Sequence, residues 1–175
     1  MYKGTNKIAL VSKQAIQKAL IALMDEKDYQ EITISELCKK AQISRQTFYS
    51  LFQTKEAALL DAIPRCEFSS EGSSEQRCSR FYDYLFDNYH ILSLLAENGM
   101  LHLIFHSLRS SVIESERGIR SMNLRDRLYT GTFIACALVG VAKVFISNQG
   151  SDSREYLVKR LKKLFNGDYV LGGRL

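Results

Sequence analysis

Two short helical patterns joined by a brief interruption, between Thr33 and Glu56, constrain the fold of this chain more than any other stretch. In the first pattern, apolar residues recur at the i, i+3, i+4 and i+7 spacing of one helix face, at Ile34, Leu37, Cys38 and Ala41. In the second, which runs from Arg45 to Phe52, the apolar face is formed by Phe48, Leu51 and Phe52. Two short helices separated by a turn of three or four residues predict a helix-turn-helix.

Local capping signals mark where these helices begin. Thr33 and Glu36 have the spacing of a capping box, in which the hydroxyl and the carboxylate each accept a backbone N–H. Ser44 is a favourable N-cap for the second helix, and Thr54 for the helix that follows it. Gln42 lies in the turn, where a positive φ costs a residue with a Cβ about 1 kcal/mol relative to glycine.

The polar face of the second helix suits contact with DNA. In a helix-turn-helix the second helix enters the major groove, where Arg pairs with guanine and Gln with adenine. We therefore expect Arg45 and Gln46 to read base edges. Hydroxyls and cations hold phosphates, and Lys55 is a cation in the first turn of its helix, where the helix dipole disfavours it unless a phosphate is near. The further expected contacts, mainly to phosphates, are Thr33, Thr47, Tyr49 and Ser50.

The run ITISELCKKAQISRQTFYSLFQTKEAALLDAI resembles the DNA-binding domain of the TetR/AcrR family of bacterial transcriptional regulators. The resemblance covers about the first third of the chain, and its most specific part is TFYSLFQTKEAALL. It implies an all-helical dimer with a three-helix DNA-binding domain, followed by a larger helical domain for ligand binding and dimerisation. The chain departs from the family pattern at Gln42, where Gly is usual, and at Leu51, where His or another polar residue is common.

Composition agrees with an all-α protein of two domains. One proline and no tryptophan among 175 residues, with only ten glycines, favour helices over a sheet. We expect a first helix from Ser12 to Lys27, and Pro64 should end the helix Lys55–Ile63. A serine-rich stretch, residues 65–76, then reads as a join. We therefore place a helix-turn-helix DNA-binding domain in residues 1–64 and a helical ligand-binding and dimerisation domain in residues 65–175.

The charge and the cysteines of the chain indicate its cellular compartment and its class of partner. The net charge of +5 and the pI near 9.0 are compatible with a polyanionic partner and equally with ordinary solvated charge. The four cysteines lack CxxC spacing, and we interpret Cys38 and Cys136 as small core residues in a protein of the reducing bacterial cytoplasm. Because Met1–Asn6 is short and polar, we expect no signal peptide. Its longest apolar run, Phe133–Ala142, is too short to span a bilayer, so no membrane is expected.

Two helices near the end of the chain predict a homodimer. Leu124–Ser147 is apolar nearly all round, which is typical of a helix that touches its own domain on one side and something else on the other. The segment Asp152–Phe165 carries a leucine stripe. Two such helices from each subunit would form a four-helix interface, as the resemblance implies.

Aromatic residues of the second domain have two interpretations. Each one alone is best explained as core filling. Together they are candidates for the wall of an effector pocket, since pockets for apolar ligands form between the helices of bundles. The candidate pocket residues are Phe86, Tyr89, Phe105, Tyr129 and Phe133. The expected effector is a small apolar or aromatic molecule, and a protein co-regulator is the alternative.

Motifs for catalysis, metals or cofactors are not found in the sequence. His102 and His106 have an i, i+4 spacing that can bind metal, but no carboxylate or cysteine completes a motif, so we assign no catalytic residue, metal or cofactor. The function expected is that of a DNA-binding transcriptional regulator, as a repressor, that binds a palindromic operator as a dimer. The alternative is a helical interaction module that uses the same fold without sequence-specific DNA binding.

Overall fold

The all-α prediction is confirmed for the part of the chain that can be described. The computed structural model describes residues 7–66, 73–115 and 117–165, and every regular element in those ranges is a helix. The chain divides into two compact units, Met1–Pro64 and Arg65–Leu175.

Unit 1 is a small bundle formed around one buried cluster. Its helices are α1 (Lys7–Met24), α2 (Ile34–Lys40), α3 (Arg45–Leu51) and α4 (Lys55–Ala62), with a 3-10 turn at Tyr29–Glu31. Helix α1 packs against the other three. The fully buried apolar side chains are Ile16, Leu20, Leu37, Phe48, Ala58 and Leu59. Tyr29 and Ile32 are also buried, as expected for residues that fill the space between the helices.

The three predicted caps are confirmed. The backbone N–H of Glu36 donates to Thr33 Oγ1 at 3.2 Å, and that of Thr33 donates to Glu36 Oε2 at 2.9 Å. Ser44 Oγ accepts the N–H of Thr47 at 3.0 Å, and Thr54 Oγ1 accepts that of Ala57 at 3.0 Å. The start of each helix is therefore determined by short-range signals that the sequence displays.

The turn of the helix-turn-helix requires a positive φ. Gln42 has φ of 55°, in the left-handed region that glycine occupies without steric cost. Its N–H donates to the carbonyl of Lys39, and the N–H of Ile43 donates to the carbonyl of Cys38. These two hydrogen bonds form a Schellman motif, which satisfies the last carbonyls of α2 and turns the chain toward α3.

Several helix ends differ from the sequence expectation. Helix α1 runs Lys7–Met24 rather than Ser12–Lys27. In unit 2, α5 (Ser74–Asp87) begins inside the stretch we read as a join. Ser73 and Gln76 form a capping box there, with the N–H of Gln76 donating to Ser73 Oγ at 3.2 Å. The remainder of that expected join, residues 67–72, lies outside the described residues.

Unit 2 is built on two helix pairs. Its further elements are α6 (Tyr89–Glu97), a 3-10 turn (Leu101–Leu103), α7 (Ile104–Ser115), α8 (Arg117–Arg120), α9 (Leu124–Ser147) and α10 (Arg154–Phe165). Helix α7 lies along α9, and α5 lies along α10. A Cβ placed on Gly131 of α9 would lie 2.5 Å from Cγ1 of Ile113 on α7, so glycine allows the two helices to approach closely.

Helix α9 has two distinct faces. The buried face consists of Gly131, Ala135, Leu138, Ala142 and Phe145. The outward face includes Tyr129, Phe133 and Val144, which are exposed. The expectation that Cys136 is a core residue is wrong, because its side chain is exposed beside the outward face. The whole helix is long and apolar enough to cross a membrane by length and composition, which the shorter run Phe133–Ala142 did not indicate. A core helix of a soluble protein passes the same test, and α9 packs on α6, α7 and α8.

Candidate nucleic-acid interface

Helix α3 is oriented by one buried aromatic residue. Phe48 is fully buried, and its ring contacts those of Tyr49, with centroids 5.5 Å apart, and Phe52, with centroids 6.1 Å apart. With Phe48 directed into the core, the 100° step of the helix directs Arg45, Gln46 and Tyr49 to solvent, and all three are exposed.

Arg45 and Gln46 present unused hydrogen-bonding groups. Neither side chain forms a hydrogen bond or ion pair with a residue that the structure describes. Arg45 offers the planar fork of donors that matches guanine O6 and N7, and Gln46 offers the donor and acceptor that match adenine. The two residues predicted to read bases therefore lie side by side in the first turn of α3, ready to bond without first breaking a contact.

The hydroxyl groups of this surface are partly committed. Ser44 Oγ and Thr47 Oγ1 are 2.9 Å apart and share a hydrogen bond. Ser50 Oγ donates to the carbonyl of Thr47 at 2.7 Å. A hydroxyl has one hydrogen to donate, and a phosphate oxygen only accepts. Ser50 can therefore accept from a base amino group in this arrangement but cannot donate to a phosphate, whereas the Ser44–Thr47 pair retains one hydrogen for that purpose.

Thr33 is likewise occupied by its capping role. Its hydroxyl donates to Glu36 Oε2 at 2.8 Å. The pKa of Glu36 is lowered from 4.5 to about 2, first by the hydrogen bond from Lys27 and then by the backbone and side-chain hydrogen bonds from Thr33. A carboxylate that stays ionised beside Thr33 repels phosphate. The structure thus gives Thr33 a capping role, and its contact with phosphate stays a prediction.

Lys55 likewise has bonding partners within unit 1. Its Nζ donates to the carbonyl oxygens of Tyr29, at 2.5 Å, and Ile32, at 2.7 Å, and it lies 4.1 Å from the centroid of the Tyr29 ring. Burial, and secondarily the nearby charge of Lys27, lower the pKa of Lys55. The cation in the first turn of α4 is therefore explained by these carbonyls and needs no phosphate.

Sequence reasoning missed one exposed cation near the turn. Lys39 is exposed and forms no ion pair with a described residue, whereas Lys40 pairs with Glu26 and Lys27 with Glu36. In the sequence, Glu36 stands three and four residues before Lys39 and Lys40, a spacing that predicts pairing within the helix. Glu36 pairs instead with Lys27, which lies outside α2. No pattern in the sequence indicated this pairing, so the sequence did not show that Lys39 lacks an ion-pair partner.

Comparison with known proteins agrees with this geometry. Residues 16–63, which include all of α2, α3 and α4, match the family model described as bacterial regulatory proteins, tetR family. Residues 16–63 are a TetR-family domain. The resemblance read from the sequence is thereby confirmed.

Two curated regulators are similar to about a third of the chain. The chain is 42% identical over 55 residues to the uncharacterized HTH-type transcriptional regulator YxbF of Bacillus subtilis (strain 168). It is 38% identical over 53 residues to DhaS of Lactococcus lactis subsp. lactis (strain IL1403), described as the HTH-type dhaKLM operon transcriptional activator. These matches cover 31% and 30% of this chain. The chain spans only 14% of the length of YxbF and 28% of the length of DhaS.

One solved structure resembles nearly the whole chain. The dihydroxyacetone kinase operon activator DhaS covers 91% of this chain, and 96% of its own chain is covered, with a TM-score of 0.58 and 20% sequence identity. At this identity the likeness concerns the fold alone. It extends the all-α likeness from the TetR-family domain into unit 2.

Two of the aromatic residues predicted to line an effector pocket belong to an aromatic cluster instead. The ring of Tyr82 stacks on Phe86 at 5.9 Å between centroids and meets Phe145 edge-on at 6.0 Å. Tyr89 meets Phe145 at 6.2 Å. Phe86 is 59% exposed at the outer end of the cluster. Tyr82 and Tyr89 therefore pack α5 and α6 against Phe145 of α9, which supports the interpretation of Tyr89 as a packing residue. Phe86 contacts Tyr82 on its own helix and is not a core residue.

The other three pocket candidates lie elsewhere. Phe105 is partly buried and contacts His106 and Arg109 on its own helix. Tyr129 and Phe133 are 69% and 74% exposed on the outward face of α9. Their placement follows from Gly131, which must face α7, since residues two positions away lie roughly 160° around a helix. The structure does not gather the five candidates around one site.

Phe133 lines a different concavity. A groove of about 500 Å³ runs between α9 and α10, and its walls are mostly apolar. The lining residues that matter here are Phe133, Ala137, Val144, Tyr156, Leu164 and Phe165. An exposed apolar groove of this kind marks a surface that binds another apolar surface.

Proposed function

We propose that this protein is a DNA-binding transcriptional regulator of the bacterial cytoplasm that binds a palindromic operator as a homodimer. The observation that carries the proposal is the first turn of α3, where Arg45 and Gln46 are exposed and unbonded on a helix oriented by the buried Phe48. The TetR-family match over residues 16–63 and the two regulator relatives support it.

The structure sharpens the proposed roles at the DNA. Arg45 and Gln46 read base edges, and Tyr49, 48% exposed, supplies a hydroxyl at the same face. The Ser44–Thr47 pair donates one hydrogen to a phosphate, and Lys39 adds a cation beside the turn. Ser50 accepts from a base amino group. Each protomer contributes one such helix to one half-site of the palindrome.

The proposed dimer uses the groove between α9 and α10. Large apolar side chains are exposed on both helices, which leaves a protomer with surface that water does not favour. The exposed residues are Tyr129, Phe133, Val144, Tyr156, Leu164 and Phe165. The same two helices of a second copy would cover them, and an obligate interface of this kind exceeds roughly 2,000 Å² in total.

Two proposals concern control. We propose that the regulator represses transcription. A protein bound to an operator within a promoter blocks RNA polymerase without having to contact it. The similar protein DhaS is named a transcriptional activator, which is the opposite mode of regulation. The proposed input is a small apolar effector or a protein co-regulator that binds unit 2, and it must bind the two functional states with different affinity to shift operator binding.

One experiment separates this function from an interaction module that does not use DNA. The purified chain is titrated with random duplex DNA at low salt and at increasing salt, and then used to select operators from a random library. A regulator binds, loses affinity steeply as salt rises, and enriches a palindrome. Absence of binding at the lowest salt supports the interaction module. A reporter carrying the selected operator then distinguishes repression from activation.

A further inference from the structure

The ammonium group of Lys55 is held by groups of unit 1. A lysine ammonium has three N–H donors. Two of them reach the carbonyl oxygens of Tyr29 (2.5 Å) and Ile32 (2.7 Å). The ring of Tyr29, 4.1 Å away, provides the π face that receives the remaining positive charge.

Resting on the proposed function, we infer that Lys55 is a positioning residue that clamps the segment 29–32 onto the first turn of α4, and that it is not a phosphate contact. The clamp joins parts of unit 1 that are distant in sequence. Lys55 begins α4, and Ile32 lies directly before Thr33, which caps α2. A fixed distance from Lys55 to Ile32 therefore fixes where α2, and with it the turn to α3, begins relative to α4.

The electrostatics of the two helix ends favour this arrangement. The first turn of α4 carries the positive end of the helix dipole, which disfavours a cation. The carbonyl oxygens of Tyr29, at the start of the 3-10 turn, and Ile32, directly after it, carry partial negative charge and offset that cost. To reach a phosphate, the ammonium must give up both carbonyls and the ring of Tyr29 together. A surface lysine such as Lys39 gives up only water.

Three variants of the full chain test the inference. Lys55→Met removes the charge and all donors. Lys55→Arg keeps the charge, but the planar guanidinium does not reproduce the clamp. Lys39→Met removes the exposed cation that is proposed to lie near a phosphate and serves as the control. For each we measure the thermal midpoint, the affinity for a selected operator and for random duplex, and the slope of log affinity against log salt on random duplex.

A clamp and a phosphate contact give opposite results. If Lys55 is a clamp, Lys55→Met and Lys55→Arg both lower the thermal midpoint and reduce the operator-to-random affinity ratio roughly tenfold through misplaced base contacts. The salt slope then stays at the wild-type value, whereas Lys39→Met makes it shallower with an unchanged midpoint. If Lys55 is a phosphate contact, Lys55→Met leaves the midpoint unchanged and reduces the slope by about 0.9 per contact.

Lys55→Arg keeps the inference testable if Lys55→Met does not fold. An unchanged midpoint and full operator affinity for Lys55→Arg overturn the clamp, since Arg replaces Lys readily at a phosphate. If the wild-type chain does not bind DNA at all, the proposed function fails. The clamp is then still judged by the thermal midpoints alone.

Discussion

The backbone N–H of Ile43 donates to the carbonyl of Cys38 at 3.0 Å, and this bond closes α2 around Gln42. It holds Gln42 at φ of 55°, where a Cβ is strained and glycine is not. The position is exposed, so the strain is not repaid by packing.

Gln42→Gly is expected to stabilise the chain. Relief of the left-handed strain, less the larger entropy of an unfolded glycine, leaves a gain of about 0.5–1 kcal/mol. This corresponds to a rise of about 1–4 °C in the thermal midpoint. Gln149→Gly is a matched case in unit 2, because Gln149 has φ of 57° at the end of α9. A midpoint for Gln42→Gly at or below that of the wild type would show that Gln42 makes a compensating interaction.

Gln46→Ala is expected to cost about 1–3 kcal/mol of binding to the selected operator and far less on random duplex, because a bidentate base contact discriminates between sequences. Gln14→Ala, at an exposed position of α1, is the control and should change neither affinity. The affinities are compared at one fixed salt concentration. Equal losses on the two DNAs would mean that Gln46 does not read a base.

The exposure of Cys136 offers a probe of the proposed dimer. Among the four free cysteines, Cys38, Cys66 and Cys78 are buried within a protomer and Cys136 is exposed. In a dimer that covers the outward face of α9, Cys136 should react slowly with a maleimide at micromolar protein. Ala137→Arg places a charge on that face and should give a folded monomer by sedimentation, with fast labelling of Cys136.

Leu164→Asp is a second variant that should disrupt the proposed dimer, and it is preferable to a change at Leu161. Leu164 is 49% exposed, whereas Leu161 is buried within the protomer, and a charge at Leu161 would unfold the bundle whatever the oligomeric state. Fast labelling of Cys136 in a wild-type protein that sediments as a monomer would defeat the dimer.

Acid should weaken unit 1 through Glu36. The pKa of Glu36 is about 2 in the folded chain and ordinarily 4.5, so its contribution to stability is complete above about 4.5 and is lost as the pH falls toward 2. Glu36→Gln keeps a side chain suited to the capping box but removes the charge. Thermal midpoints of Glu36→Gln should therefore fall less than those of the wild type between these pH values. Glu31→Gln, at an exposed position, is the control. If the thermal midpoints of Glu36→Gln and the wild type fall equally with pH, the acid sensitivity comes from a group other than Glu36.

The features that were predictable from the sequence are those determined within a few residues. The caps at Thr33, Ser44 and Thr54 and the bounds of α9 were correct because each depends on neighbours three or four positions away. The role of Lys55 was not predictable, since its partners Tyr29 and Ile32 lie 26 and 23 residues earlier and are backbone atoms, which no side-chain pattern displays.

The orientation of α9 was hidden for a different reason. A helix that is apolar nearly all round has no polar face to indicate which side is buried. In the observed orientation Gly131 faces α7, where a Cβ would lie 2.5 Å from Ile113. This single contact explains why Cys136, Tyr129 and Phe133 face outward, against the roles that the sequence suggested for them.

The same contact restricts how unit 2 can move. With Ile113 against the backbone at Gly131, α7 and α9 are at their minimum separation, and the surrounding side chains are packed around that spacing. Opening the pair like a hinge would create a void along the full length of α7. Sliding the helices along each other by a small step keeps the surfaces in contact, so this packing favours shear over hinge opening.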